Sequence, residues 1–292
     1  MTAVTLRAPA KLNLHLGIFP QLDERGYHRA DSLMVALDLC DEVRVELLED
    51  AHLPQVECVP AVDVPAERNT VYRAAVELAR RMGRKPAVRI QVQKRVPDQA
   101  GMGGSSSDAA AVIRALCQLW GEDVQSPQVT EAARAVGADV PFFLDPVPTL
   151  LVGAGDVVAE KFPALREPVS VVLVRPAGPG VSTPAAYAAF DEEHEEPADP
   201  AALCDVLRRG EADAKTLAGL LANNLDPVAC RLLPVDAEVR EWLLAQDESL
   251  GGQVTGSGSC VFAVCESDEA AERIVQAAKK RFGCWAMSTH IS

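Results

Sequence analysis

The segment Arg95-Val96-Pro97-Asp98-Gln99-Ala100-Gly101-Met102-Gly103-Gly104-Ser105-Ser106-Ser107-Asp108-Ala109-Ala110-Ala111 concentrates residue types that hold an anion. Small residues let the backbone approach a ligand closely and take up positive φ. The serines fall where a helix is predicted to begin, because Ala109, Val112, Ile113, Leu116 and Trp120 recur at helical spacing. The first turn of a helix leaves its N–H groups unpaired, and with the helix dipole they form a site suited to phosphates. Serine hydroxyls add hydrogen bonds, or one oxygen for a magnesium ion carried by a nucleotide. The Walker spacing Gly-x-x-x-x-Gly-Lys-Ser/Thr is absent. The run Gly101-Met102-Gly103-Gly104 also breaks the dinucleotide pattern Gly-x-Gly-x-x-Gly. A flexible linker is the bland alternative, and the periodic segments on both sides argue against it. The chemistry this loop suits is ATP binding of the kind a small-molecule kinase needs.

Three other segments carry polar groups in apolar surroundings. In Pro9-Ala10-Lys11-Leu12-Asn13-Leu14, a strand would place Lys11 and Asn13 on one face and the leucines on the other. Taken alone, that pattern fits an edge strand with a wet face better than a site. In Gly137-Ala138-Asp139-Val140-Pro141-Phe142-Phe143, Asp139 is flanked by apolar residues and is expected to be partly desolvated. With a lysine nearby it would stay ionised as a base; the equal alternative is that it caps the next short helix. Thr255-Gly256-Ser257-Gly258-Ser259-Cys260 is either a tight turn or a second half of the phosphate cradle. Lys94 precedes the first loop, and a nucleotide contact and a solvated lysine are both open for it.

The elements that position these residues follow from periodicity. Val43–Leu47 alternates as a half-buried strand, and so do Val88, Ile90 and Val92 against Arg89, Gln91 and Gln93. Asn69 is placed to cap a helix with Val71, Tyr72, Ala75, Leu78, Ala79 and Met82 on its apolar face, stopped by Gly83. Ser126 as cap, Pro127 at the first position and Gly137 at the end mark another. Val169–Val174 is a buried strand, and Asp191–Pro200 an exposed acidic loop with a solvated face. Helices are expected near 201–208, 236–245 and 268–282, the last capped by Ser267, after a strand at 261–265. Strands and helices mix irregularly, which favours α+β over regular βαβ winding.

Length and composition bound the rest. A chain of 292 residues with 48% apolar and 24% charged residues is long enough for two domains and a sizeable core. Net charge −14 disfavours nucleic acid as a partner, so an anionic substrate must be held by local donors. The eight cysteines are scattered without CxxC or zinc spacing, as expected for small buried hydrophobes in a reducing compartment. Met1–Leu16 lacks the apolar run of a signal peptide, and no stretch reaches the ~18 apolar residues of a membrane span. A cytoplasmic protein with no membrane partner is expected.

Together, Pro9-Ala10-Lys11-Leu12-Asn13-Leu14, the central Gly/Ser loop and Thr255-Gly256-Ser257-Gly258-Ser259, in that order, resemble the GHMP kinases. Pro9–Leu14, Gly26-Tyr27-His28, Gly103–Ala110 and Gly137–Phe143 are similar to its branch acting on a cytidine-diphosphate-linked methylerythritol. The resemblance covers about residues 7–265. It implies an N-terminal domain (1–155) like ribosomal protein S5 domain 2 and a ferredoxin-like C-terminal domain (156–292). It also implies transfer of the γ-phosphate of ATP to the tertiary 2-hydroxyl of the methylerythritol unit, a step of non-mevalonate isoprenoid synthesis. Asp139 matches the catalytic base and Lys11 its partner. Asn13, Tyr27, His28 and Tyr187 match the substrate site, with Tyr27 and Tyr187 on the two sides of the cytosine and His28 toward its polar edge. Lys94, Pro97, Ala100, Gly101, Met102, Gly103, Gly104, Ser105, Ser106, Ser107, Gly256, Ser257 and Gly258 match the ATP site. Mg2+ would arrive with ATP, with no metal site built by the protein alone. The chain would act as a monomer or weak homodimer. Asp98, Gln99 and Ser105 depart from the family's smaller residues. A mevalonate- or homoserine-type kinase and a non-catalytic nucleotide-binding relative are the competing readings.

Overall fold

The structure is a computed structural model, which describes residues 2–49 and 51–291. Two 20-residue strands, β1 (Ala3–Leu22) and β2 (His28–Leu47), open the chain. β3 (Gln55–Val59), a 3-10 turn at Ala66–Arg68, α1 (Thr70–Arg81) and β4 (Val88–Gln93) follow. Next come α2 (Gly104–Trp120), α3 (Pro127–Val136) and α4 (Val140–Phe143), then β5 (Thr149–Val152), β6 (Val157–Lys161) and β7 (Val169–Arg175). A helical stretch comprises α5 (Thr183–Glu192), α6 (Ala201–Arg209) and α7 (Ala214–Gly219), the short β8 (Ala222–Asn223), α8 (Asp226–Leu232) and α9 (Pro234–Leu244). The chain ends with β9 (Ser249–Val254), β10 (Val261–Cys265), α10 (Asp268–Phe282) and β11 (Trp285–Ile291). The fold is α+β, and the chain forms two compact units. The first comprises Met1–Ala10, Leu39–Asp98 and Gly103–Pro146, the second Lys11–Asp38, Gln99–Met102 and Val147–Ser292.

In the first unit, β4 pairs parallel with β3 and antiparallel with the end of β2, where Val45 lies opposite Ile90. The helix expected after Asn69 is α1, and Asn69 Oδ1 accepts from Val71 N at 3.1 Å. Its buried stripe of Val71, Ala74, Ala75, Leu78 and Ala79 packs on α2 and α3. Ser126 stands at the cap of α3, but its side chain makes no cap bond. Pro127, with φ already fixed for a helix, starts α3 instead.

The second unit contains β7, α9, β9, β10, α10 and β11, with antiparallel strand order β11-β7-β10-β9. That βαββαβ order is the ferredoxin-like arrangement. Val171, Val172, Leu173 and Val174 of β7 and Val261–Val264 of β10 are fully buried at its centre. Ser267 Oγ accepts from Ala270 N at 3.2 Å and caps α10.

Two expectations are corrected within this unit. Residues 11–18 of β1 are not a wet edge: Leu12, Leu14 and Ile18 are fully buried, and Lys11 and Asn13 are 3% and 1% exposed. Both faces are covered, and β8 pairs alongside with His15 opposite Ala222. The acidic run also does not begin as a loop, because Asp191 lies in the last turn of α5 and faces His28. Among the described residues, no helix is long and apolar enough to cross a membrane.

Candidate active site

In the second unit, strand β1 aims Lys11 and Asn13 at the two small-residue loops. Lys11 Nζ donates to Asn13 Oδ1 at 2.5 Å, and Asn13 Nδ2 donates to Ser32 Oγ at 2.9 Å. Asn13 N donates to Thr255 Oγ1 at 3.3 Å, so the strand is tied to the C-terminal loop. Lys11 N donates to the Met102 carbonyl at 3.0 Å, which ties it to the first loop as well. Glycine is required where these segments meet. Gly101 has φ +70°, and a Cβ there would lie 2.2 Å from the Thr255 carbonyl oxygen. A Cβ on Gly256 would lie 3.4 Å from Lys11 Nζ. The Thr255–Ser259 loop therefore packs beside Gly101, and Ser257 Oγ lies 3.2 Å from Thr183 Oγ1. Ala100 and Met102 turn their side chains into the core, so only their backbone can serve a ligand.

Also in this unit, His28 sits in an aromatic cluster. Its ring centroid is 5.3 Å from that of Tyr187 and 5.7 Å from that of Phe190. Its Nδ1 lies 2.9 Å from the Phe19 carbonyl, and its Nε2 is 3.2 Å from Asp191 Oδ1. Ser182 Oγ caps α5 by accepting from Ala185 N, which fixes the helix that carries Tyr187. Tyr27 stands in the turn before β2, 60% exposed, with the Arg25 guanidinium 5.4 Å over its ring.

In the first unit, α2 opens at Gly103, whose φ is +70°. Its first residues are Gly104, Ser105, Ser106 and Ser107, so the N–H groups of the opening turn belong to one glycine and three small serines. A Cβ on Gly104 would meet Val96 at 3.1 Å and Lys94 Nζ at 3.4 Å. Lys94 is not a solvated lysine. Its Nζ donates to Asp41 Oδ2 at 2.5 Å and to Asp108 Oδ2 at 2.8 Å, and its side chain is 8% exposed.

One ammonium thus faces two carboxylates. Burial alone would lower the Lys94 pKa, but Asp108 and Asp41 outweigh it and push it up to about 12. Asp41 also accepts from the backbone N–H groups of Arg95 and Val96, donors that Asp108 lacks. Asp108 has one oxygen without a partner among the described residues, and burial, with Asp41 adding to it against the pull of Lys94, raises its pKa to about 7.

Asp139 occupies the cap position of α4, but with helical angles and no side-chain cap bond. The helix-cap reading fails, because α4 starts without help from the carboxylate. The turn that carries Asp139 packs on the start of α2: a Cβ on Gly137 would lie 3.9 Å from Ser106 Oγ. Pro97 is half-buried between Val96 and Asp98 in the same unit.

Several participants escaped the sequence reading. Thr255 and Asp108 were inside the quoted motifs, but nothing in their type separated them from neighbours. Asp41 lies in a mostly apolar run with no signal of its own, and Asp191 was hidden as one of six acidic residues between 191 and 199. Among the described residues, no group of three or more His, Cys, Asp or Glu side chains is placed to hold a metal ion.

Comparison with known proteins agrees with this construction. The N-terminal domain model of the GHMP kinases matches residues 69–145, and their C-terminal model matches residues 201–284. The chain belongs to the GHMP kinases and is a phosphotransferase. A 4-diphosphocytidyl-2-C-methyl-D-erythritol kinase of Desulfitobacterium hafniense (strain Y51) is 34% identical over 98% of this chain and 96% of its own. One of the same name from Nocardia farcinica (strain IFM 10152) is 38% identical over 92% of this chain and 87% of its own. A crystal structure of 4-(cytidine 5'-diphospho)-2C-methyl-D-erythritol kinase superposes with TM-score 0.77 at 32% identity, covering 98% of this chain and 99% of that one.

Proposed function

We propose that this kinase transfers the γ-phosphate of ATP to the 2-hydroxyl of 4-diphosphocytidyl-2-C-methyl-D-erythritol, a step in non-mevalonate isoprenoid precursor synthesis. The observation that carries the substrate is the His28–Tyr187 ring pair, in a chain whose full-length relatives bear that enzyme's name. Tyr187 and Tyr27 offer ring faces to a base, and His28 offers a polar edge.

Phosphoryl transfer is mostly positioning and charge neutralisation. The Gly/Ser backbone of 100–107 and of 256–258 donates N–H groups to the nucleotide phosphates. Asp139 accepts the proton of the attacking hydroxyl, and Lys11, oriented by Asn13, stabilises charge on the transferring group. Lys94 supports the phosphate loop from beneath through Asp41 and Asp108. Mg2+ bound with ATP would supply neutralisation of the phosphate charge. Ser107 Oγ, buried and without a hydrogen-bond partner among the described residues, would offer it an oxygen. The enzyme works in the cytoplasm as a monomer or weak homodimer.

A coupled ADP-release assay with this substrate, mevalonate and homoserine tests the reading. Turnover confined to the cytidine-bearing substrate is expected. Turnover on mevalonate or homoserine in its place overturns it.

A further inference from the structure

Asn223, the last residue of β8, and its neighbour Asn224 are both buried, yet neither has a part in the reaction as described. β8 pairs parallel with β1, with Leu16 opposite Asn223, so it is fixed against the strand that carries Lys11 and Asn13. Asn224 continues that pairing. Its N–H donates to the Leu16 carbonyl at 3.2 Å, and its Oδ1 accepts from Ile18 N at 2.9 Å. Its Nδ2 donates to the carbonyls of Ile18 at 2.8 Å and Glu195 at 2.9 Å. Asn223 reaches a different partner, the C-terminal loop. Its Nδ2 donates to the Val254 carbonyl at 2.8 Å and to the Gly256 carbonyl at 3.0 Å, while its Oδ1 accepts from Leu225 N at 2.9 Å. No other side chain of this length offers two donors and an acceptor.

The Gly256–Ser257 peptide is trans, and in a trans peptide the C=O and the N–H point in opposite directions. Asn223 draws the Gly256 carbonyl inward, which turns the Ser257 N–H away from it and outward. Ser257 is the one residue of Thr255–Ser259 that is not buried, so the outward side of this peptide is the accessible one. Gly256 has φ +60° and no Cβ to restrain the peptide that follows it, so the restraint must come from a partner. We propose that Asn223 is a positioning residue for ATP: by holding the Gly256 carbonyl, it aims the Ser257 N–H at the nucleotide phosphates. This rests on the assignment of Gly256–Gly258 to ATP in the preceding section. Without the amide, the Val254 and Gly256 carbonyls lose a buried donor. A turn of the Gly256–Ser257 peptide to find another would present an oxygen to the phosphates in place of an N–H. Loss of one donor to a charged group corresponds to about 10- to 100-fold in affinity.

The test uses the full chain with the β,γ-imido analogue of ATP and Mg2+, titrated by calorimetry. Serine-selective ¹⁵N labelling follows the Ser257 amide by NMR, assigned by its loss in Ser257→Ala. In the unaltered enzyme this resonance is expected to move when the analogue binds. Asn223→Ala should bind the analogue about 10- to 100-fold more weakly, and at saturation its Ser257 amide should not reach the bound position. Asn223→Asp, isosteric but without donors, should weaken binding at least as much. Asn224→Ala, in the same turn, should lower the melting temperature but keep the affinity within about threefold and the Ser257 response intact. A role in stability alone would not separate the two neighbours in this way. If Asn223→Ala fails to fold, Asn223→Ser, which keeps one donor, is read by the same two measurements and should show an intermediate loss. A folded Asn223 variant with unchanged affinity and an intact Ser257 response overturns the Asn223 role alone. An unaltered enzyme that binds the analogue without moving the Ser257 amide, or does not bind it, overturns the assignment of this loop to ATP and this proposal with it.

Discussion

Gly101 and Thr255 approach so closely that a Cβ on the first would stand 2.2 Å from the carbonyl oxygen of the second. The two small-residue loops therefore meet backbone to backbone, at a residue whose φ of +70° also disfavours any side chain. Gly101→Ala must move one loop away from the other. We expect it to raise the KM for ATP at least tenfold and to cost about 2–4 kcal/mol of stability, the range of overpacked and strained sites. Steady-state kinetics and urea melts check both. An alanine variant with wild-type ATP kinetics would show that the junction is unimportant to nucleotide binding.

Lys11 and Asp139 are assigned chemistry, so their conservative variants should lose turnover while keeping the fold. Asp139 makes no cap bond, and Asp139→Asn removes only charge. A fall in kcat of ~10²–10⁴ is expected, the usual worth of a general base. Lys11→Met removes the partner of Asn13 Oδ1 and should lower kcat by a similar factor. Wild-type kcat in Asp139→Asn would remove the base role from that residue.

The two carboxylates that share Lys94 should respond differently to neutralisation. Asp41 is fully buried and accepts from two backbone N–H groups as well as the ammonium. Asp41→Asn should cost about 3–5 kcal/mol, as breaking a buried charge pair does. Asp108 holds a proton below about pH 7, so Asp108→Asn should be within ~1 kcal/mol of wild type at pH 6. Equal losses in the two variants would refute this division of roles.

The parts of the fold that could be read in the sequence are those whose two faces differ. α1 alternates a buried stripe with exposed Arg73 and Arg80 and half-buried Glu77, and β4 alternates buried Val88, Ile90 and Val92 with polar partners, so both periodicities are plain. Residues 11–18 of β1 are covered on both sides, which erased the contrast that would have marked Lys11 and Asn13 as buried. β9 contains Gly251-Gly252, a poor strand sequence, and is held by pairing with β10. A Cβ on Gly252 would lie 2.3 Å from the Phe262 carbonyl oxygen. Side-chain partners such as Asp41 with Lys94, 53 residues apart, depend on strand register, which no local pattern encodes. Motifs gave the residue types of the site; tertiary pairing supplied which of them touch.

Gln99 is the one described non-glycine residue with positive φ, at +54°. The left-handed region is costly for a side chain with a Cβ and free for glycine. Gln99→Gly should therefore relieve local strain but enlarge the unfolded ensemble, with a net gain of about 0.5–1 kcal/mol. Thermal melts check the sign. Destabilisation would mean that the exposed glutamine side chain makes up for its backbone conformation.

Asp236 is wholly buried, and neither carboxylate oxygen has a hydrogen-bond partner among the described residues. A Cβ on Gly258 would lie 3.3 Å from Asp236 Oδ2, so the group sits directly under the C-terminal loop. Burial, followed by the charge of Asp226, raises its pKa to about 7, against the pull of Arg175. Asp226 pairs with Arg240 and accepts from Val254 N, whereas Asp236 has no such donors to favour its charged form. The sign follows from linkage. Unfolded, Asp236 gives up its proton near pH 4, and folded only near pH 7, so the native state binds more protons in between. Stability from this group is complete below about pH 4 and is lost as pH rises toward and through 7, by on the order of 2–4 kcal/mol. Asp236→Asn has no such proton to lose. Its melting temperature should fall less than that of wild type between pH 5.5 and 8.5. Because Asp108 titrates in the same sense, the double variant with Asp108→Asn should flatten the profile further. If Asp236→Asn melts with the wild-type pH slope, Asp236 is not the group that binds the proton.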